Sequence, residues 1–120
     1  MHANELILYV DNQQRSRDFY QAVFEVEPTL DVPGMTEFDL GGVTLGVMPA
    51  RDIAQLIPGL QVGAGQRCEL YLRRPDADAL MIRILRAGGH MLAAIEPRPW
   101  GESVGYALDP DGHVIACASE

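Results

Sequence analysis

The chain has 120 residues, nearly half of them hydrophobic, with 17 acidic against 9 basic side chains and a net charge of −8. That length suits one domain, 1–120, with one core. The acidic balance argues against a nucleic-acid partner, whose binders need a basic face, and it tolerates a cationic ligand.

Glu5 to Val10 reads as the first strand, with Leu6, Leu8 and Val10 on one face and Glu5, Ile7 and Tyr9 on the other. Asp11 is placed to cap a helix. From Asn12 onward, Ser16, Phe19, Tyr20, Val23 and Phe24 recur at three- and four-residue spacing, one apolar stripe that packs on the Leu6, Leu8, Val10 side. Pro28 ends that helix at or before Glu27. Three short strands follow: Pro28 to Val32, Met35 to Leu40 and Val43 to Met48, separated by Pro33-Gly34 and Gly41-Gly42. Residues 50–66, rich in Gly and Pro, read as a linker with one helical turn near Ile53 to Ile57.

The pattern then repeats. Glu69 to Arg73 is a strand. Asp76 is placed to cap a helix, Ala77 to Ala87, with Leu80, Ile84 and Ala87 inward and Gly88-Gly89 as its stop. His90 to Ile95, Glu102 to Leu108 and His113 to Ala118 are three more strands, the last two joined by the Asp109-Pro110-Asp111-Gly112 turn. Two copies of one strand–helix–three-strand module are expected, at about 4–49 and 67–118. Cys68 and Cys117 read as small buried hydrophobes inside strands. No basic segment followed by a long apolar run is present, so a cytoplasmic location and no membrane partner are expected.

A strand ending Val10-x-Asp11, then Ser16, the Phe19-Tyr20 pair, a late Pro99-Trp100-Gly101 and Asp109-Pro110-Asp111-Gly112 form one constellation. It resembles the vicinal oxygen chelate superfamily: glyoxalases, extradiol dioxygenases, fosfomycin resistance enzymes and bleomycin-binding proteins. The resemblance covers nearly the whole chain. It implies an α+β fold in which two βαβββ modules build a curved, mostly antiparallel eight-stranded sheet around a cavity, with helices on the outer face. It also implies a homodimer.

Superfamily enzymes hold a divalent metal with one residue from the first and last strand of each module. Those positions fall on Glu5, Glu69 and Ala116, and near Leu45. Leu45 and Ala116 offer no lone pair, and a metal needs about three protein donors. We therefore expect no metal, no cofactor and no catalytic residue. A divalent metal is the alternative, because a one-residue slip brings in Cys68 or His113, although it also flips the side chain to the other face. His113 itself reads as a solvent-facing turn residue.

What is left is a cavity lined by Glu5, Ile7, Tyr9, Val43, Leu45, Val47, Glu69, Tyr71, Trp100 and Tyr106. Trp100 sits between Pro99 and Gly101, in a turn where a core tryptophan is unexpected, and bleomycin-binding relatives stack aromatic side chains of this neighbourhood on flat drug rings. Two carboxylates need pairing, by Arg73, Arg98 or a ligand. With the aromatics they suit a flat cation such as an antibiotic. A metal-free, bleomycin-resistance-type binding protein is the first expectation. A metal-dependent lyase, isomerase or dioxygenase is the second, and a non-catalytic partner module the third.

Overall fold

A computed structural model describes residues 3–119. The chain divides between Gly63 and Ala64 into two units. In the first, β1 (Glu5–Val10) is followed by α1 (Gln13–Phe24), β2 (Leu30–Val32), β3 (Met35–Asp39), β4 (Thr44–Pro49) and α2 (Ala50–Leu56). In the second, β5 (Glu69–Arg74) is followed by α3 (Ala77–Arg86), β6 (His90–Pro97), β7 (Ser103–Leu108) and β8 (Val114–Ser119). Both copies of the βαβββ module are therefore present, and the fold is α+β. The sheet expectation is refined: each unit carries its own four-stranded sheet, ordered β1-β4-β3-β2 and β5-β8-β7-β6. In each, the first strand runs parallel to the last and the other pairs are antiparallel.

One face of each sheet is sealed by its helix. In the first unit Phe19, Tyr20, Val23 and Phe24 of α1 are buried, as are Leu8, Val10, Phe38, Leu45 and Val47 of the sheet. The predicted stripe of α1 thus holds, but its cap moves by one residue. Asn12, in extended conformation, accepts from the Arg15 amide at 3.0 Å, the bond expected of Asp11. The helix ends at Glu25, which takes the left-handed conformation with φ 56°, a place that favours glycine. In the second unit, Ala77, Leu80, Met81 and Ile84 of α3 are buried.

Asp76 makes no side-chain cap. Its carboxylate instead meets Arg74 at 2.7 Å and Arg83 at 3.0 Å, and these hold it far below the usual carboxylate range. The expected linker begins with α2, a full helix rather than one turn. Cys68 precedes β5 and is exposed, contrary to expectation, whereas Cys117 is buried, and burial pushes its thiol up to about 11. No helix among the described residues is long and apolar enough to cross a membrane.

The β7–β8 turn is tied from inside. Asp109, 2% exposed, accepts from the amides of Asp111 at 2.9 Å and His113 at 2.8 Å, and its second oxygen lies 2.9 Å from His113 Nδ1. His113 is thus held against a buried carboxylate rather than turned simply to solvent. The carboxylate stands in for the strand partners that a turn lacks.

Candidate functional site

The uncovered face of the second-unit sheet follows from period-two alternation. Glu69, Tyr71 and Arg73 of β5 share it with Ala116 and Ala118 of β8 and with Val104 and Tyr106 of β7, because paired residues point the same way. Val104, Ala116 and Ala118 form a fully buried apolar floor, against which Tyr71 and Tyr106 pack. The small alanines leave room for both rings to lie down.

A polar chain runs over that floor. Trp100, 55% exposed in the turn between β6 and β7, donates its Nε1–H to Tyr71 Oη at 3.0 Å. Tyr71 donates in turn to Glu102 Oε1 at 2.7 Å. Arg73 reaches both oxygens of Glu102, at 2.8 and 3.3 Å, and its guanidinium carbon lies 4.9 Å from the Tyr71 ring centroid. Arg73 and Tyr71 hold the Glu102 carboxyl below its ordinary range, while burial and Glu102 push the Tyr71 phenol up against the opposing pull of Trp100. Arg98 lies over Tyr106, 5.4 Å from its centroid, and donates to the carbonyls of Val104 at 3.0 Å and Ala94 at 3.1 Å.

The uncovered face of the first unit carries Glu5, Ile7 and Tyr9 of β1, Gly46 of β4 and Glu37 of β3. Glu5 is exposed overall, but its carboxyl end crosses β4 directly above Gly46, where any Cβ would overlap it. There it hydrogen-bonds Glu37. Desolvation, that bond and the like charge raise Glu5 to about 7, so its carboxyl holds a proton well above the usual carboxylate range. A polar groove between the start of α1 and α2, lined by Asn12, Gln14, Arg51 and Asp52 among others, shares no residue with either face.

The structure therefore brings together Tyr71, Trp100 and Tyr106, and places Glu69 on the same face at the exposed start of β5. Glu5 and Tyr9 share the first-unit face. Leu45 needs correction: it is fully buried beside Leu6 and Phe38 on the helix side, and Gly46 occupies the Glu5 side. Val47 is buried with it, and Val43 precedes β4. Gly46 pairs with Ile7 as Ala116 pairs with Tyr71, so these two are the equivalent positions. Arg73 pairs with Glu102 rather than with Glu5 or Glu69. Sequence reasoning missed Glu37, Gly46 and Glu102. Only the position of Glu102, two residues past Trp100 at a strand start, could have drawn attention.

A family model described as a glyoxalase-like domain matches residues 3–120. The chain belongs to the glyoxalase-like family. This glyoxalase-like chain is 30% identical over 116 residues to an uncharacterized protein of Mycobacterium bovis, a match covering 88% of this chain and 75% of that one. It is 28% identical over 122 residues to the phenazine antibiotic resistance protein EhpR of Enterobacter agglomerans, covering 93% and 87%. The crystal structure of a glyoxalase-related enzyme from Fulvimarina pelagi matches with a TM-score of 0.86 at 24% identity, over 99% of this chain and 88% of that one, a likeness of fold.

The donors present do not fit the divalent metal of glyoxalase-like enzymes. At the two equivalent strand positions stand Gly46 and Ala116, neither with a donor atom, and Glu5 is engaged with Glu37. Among the described residues no three His, Cys, Asp or Glu side chains converge.

Proposed function

We propose that this protein binds a flat, ring-bearing small molecule and holds it unchanged, as a resistance-type member of its family. The observation that carries this is the second-unit face: Trp100, Tyr71 and Tyr106 over the floor of Val104, Ala116 and Ala118. Aromatic rings there offer stacking area, and Trp100 is held by a hydrogen bond while more than half exposed. The distant likeness to a phenazine antibiotic resistance protein agrees with a planar polycyclic ligand. The cationic ligand expected from Glu5 and Glu69 draws no support from the carboxylate nearest the rings, Glu102, which Arg73 already pairs.

Trp100 is the only tryptophan, so its fluorescence reports the site. Titration with phenazine should quench it saturably, Tyr106→Ala should weaken binding about tenfold or more, and the phenazine should be recovered unaltered. Native mass spectrometry of gently purified protein should give a homodimer at the bare chain mass. A stoichiometric divalent ion together with a chemically changed ligand would replace this proposal with the enzyme.

A further inference from the structure

Four arginines of the described chain, Arg17, Arg73, Arg74 and Arg83, have carboxylate partners. Arg98 has none among the described residues, although it is half-buried and lies against Tyr106. Its side chain donates to two main-chain carbonyls, of Val104 and Ala94. Ala94 falls within the register shift between Ala93 and Glu96, where the β6–β7 ladder is interrupted. The bonds therefore do two things: they satisfy carbonyls at the irregularity, and they fix the plane of the guanidinium.

A guanidinium has five N–H donors, so this one keeps three after its two carbonyl bonds. A charge taken partly out of water without a counter-ion is costly, and the cost is recovered when an anion arrives. Arginine fits a planar carboxylate two-pronged, and here its orientation is set beforehand. Arg98 is also two residues from Trp100 in the same turn, whose ends are joined by the bond from Arg98 N to Glu102 O at 2.8 Å. Stacking rings and an unpaired fork thus stand side by side.

Resting on the ring-binding role proposed for this face, we propose that Arg98 selects planar aromatic ligands that carry a carboxylate, pairing with that group while the ring lies against Tyr106 and Trp100. Arg73, being occupied by Glu102, does not compete for it. The bland alternative is that Arg98 only closes the strand irregularity.

Three forms of one ring separate these cases: phenazine, phenazine-1-carboxylate and the N-methylphenazinium cation, measured by calorimetry at pH 7.5. The carboxylate should bind about tenfold more tightly than phenazine, the gain of one charge-assisted contact at a half-exposed site, and the cation more weakly than phenazine. The preference should shrink with added salt. Read as the ratio of the two affinities within each variant, it should vanish in Arg98→Gln and persist in part in Arg98→Lys, which retains the charge and loses the fork. If Arg98→Gln does not fold, a preference undiminished in Arg98→Lys overturns the two-pronged contact. Equal affinities for all three ligands overturn the Arg98 proposal while leaving the ring-binding site standing. If none of the three binds, both fall.

Discussion

The two units share the strand–helix–three-strand order and the register of their parallel strand pairs, yet their uncovered faces carry different chemistry. Glu5 and Glu69 open equivalent strands, and Gly46 and Ala116 hold equivalent places beside them. In the first unit glycine leaves a channel through which Glu5 reaches across β4 to Glu37. In the second, alanine fills that channel and supports Tyr71, whose hydroxyl leads to Glu102 and Trp100. Three paired positions differ together: Ile7, Gly46 and Glu37 in the first unit stand where Tyr71, Ala116 and Tyr106 stand in the second. A duplicated module can keep its fold while a few residues in the middle of the sheet change what the face above them carries.

The comparison breaks most visibly at the turns. Asp109 closes the β7–β8 turn from a buried position, whereas Asp39 closes the corresponding β3–β4 turn from an exposed one, with a single bond to the Gly41 amide at 2.9 Å. Asp109→Ala strands two part-buried amide donors and the His113 ring beside a buried position, and should cost about 2–4 kcal/mol in urea unfolding. Asp39→Ala should cost about 0.5 kcal/mol or less. Similar losses from the two would refute the distinction.

The helix ends differ next. After α3 the left-handed position is taken by Gly88, φ 110°, but after α1 it is taken by Glu25. Glu25→Gly, which makes the first unit resemble the second, should stabilise the protein by about 1 kcal/mol.

The smallest effect belongs to the carboxyl pair. Between pH 4.5 and about 7 the folded chain keeps on Glu5 a proton that the unfolded chain has released, so stability falls as pH rises through that window and levels off above it. Solvent exposure limits the change to about 1 kcal/mol or less. Glu5→Gln should flatten the profile of melting temperature against pH and raise it at pH 8. Gly46→Ala should flatten it too, by pushing the Glu5 carboxyl away from Glu37. An unchanged profile in both would show that the pair does not form.

Much of this was legible in the chain. The stripe from Ser16 to Phe24, the glycine and proline turns, and the repeated strand–helix–strands order follow from periodicities of 3.6 and 2. Trp100 stood out because nothing about a turn demands it. The Leu45 assignment failed because Thr44 to Pro49 is apolar on nearly every residue, so alternation could not say which side faces the helix, and a slip of one residue reverses every side chain. Asp76 illustrates another limit, since its capping role was displaced by arginines two and seven residues away. Glu102 and Arg73 lie 29 residues apart, and only strand pairing brings them together.

The two thiols of this chain are separated by reactivity. Cys68 is exposed, while Cys117 is enclosed between Leu72 and Gly105 with its ionisation suppressed. A maleimide dye at neutral pH should therefore attach to Cys68 alone, one residue from the start of β5. Once Cys68 is blocked, the slow appearance of a second label would time the opening of the β5-β8-β7 sheet. The protein thus carries both a handle and a clock, without any engineered cysteine.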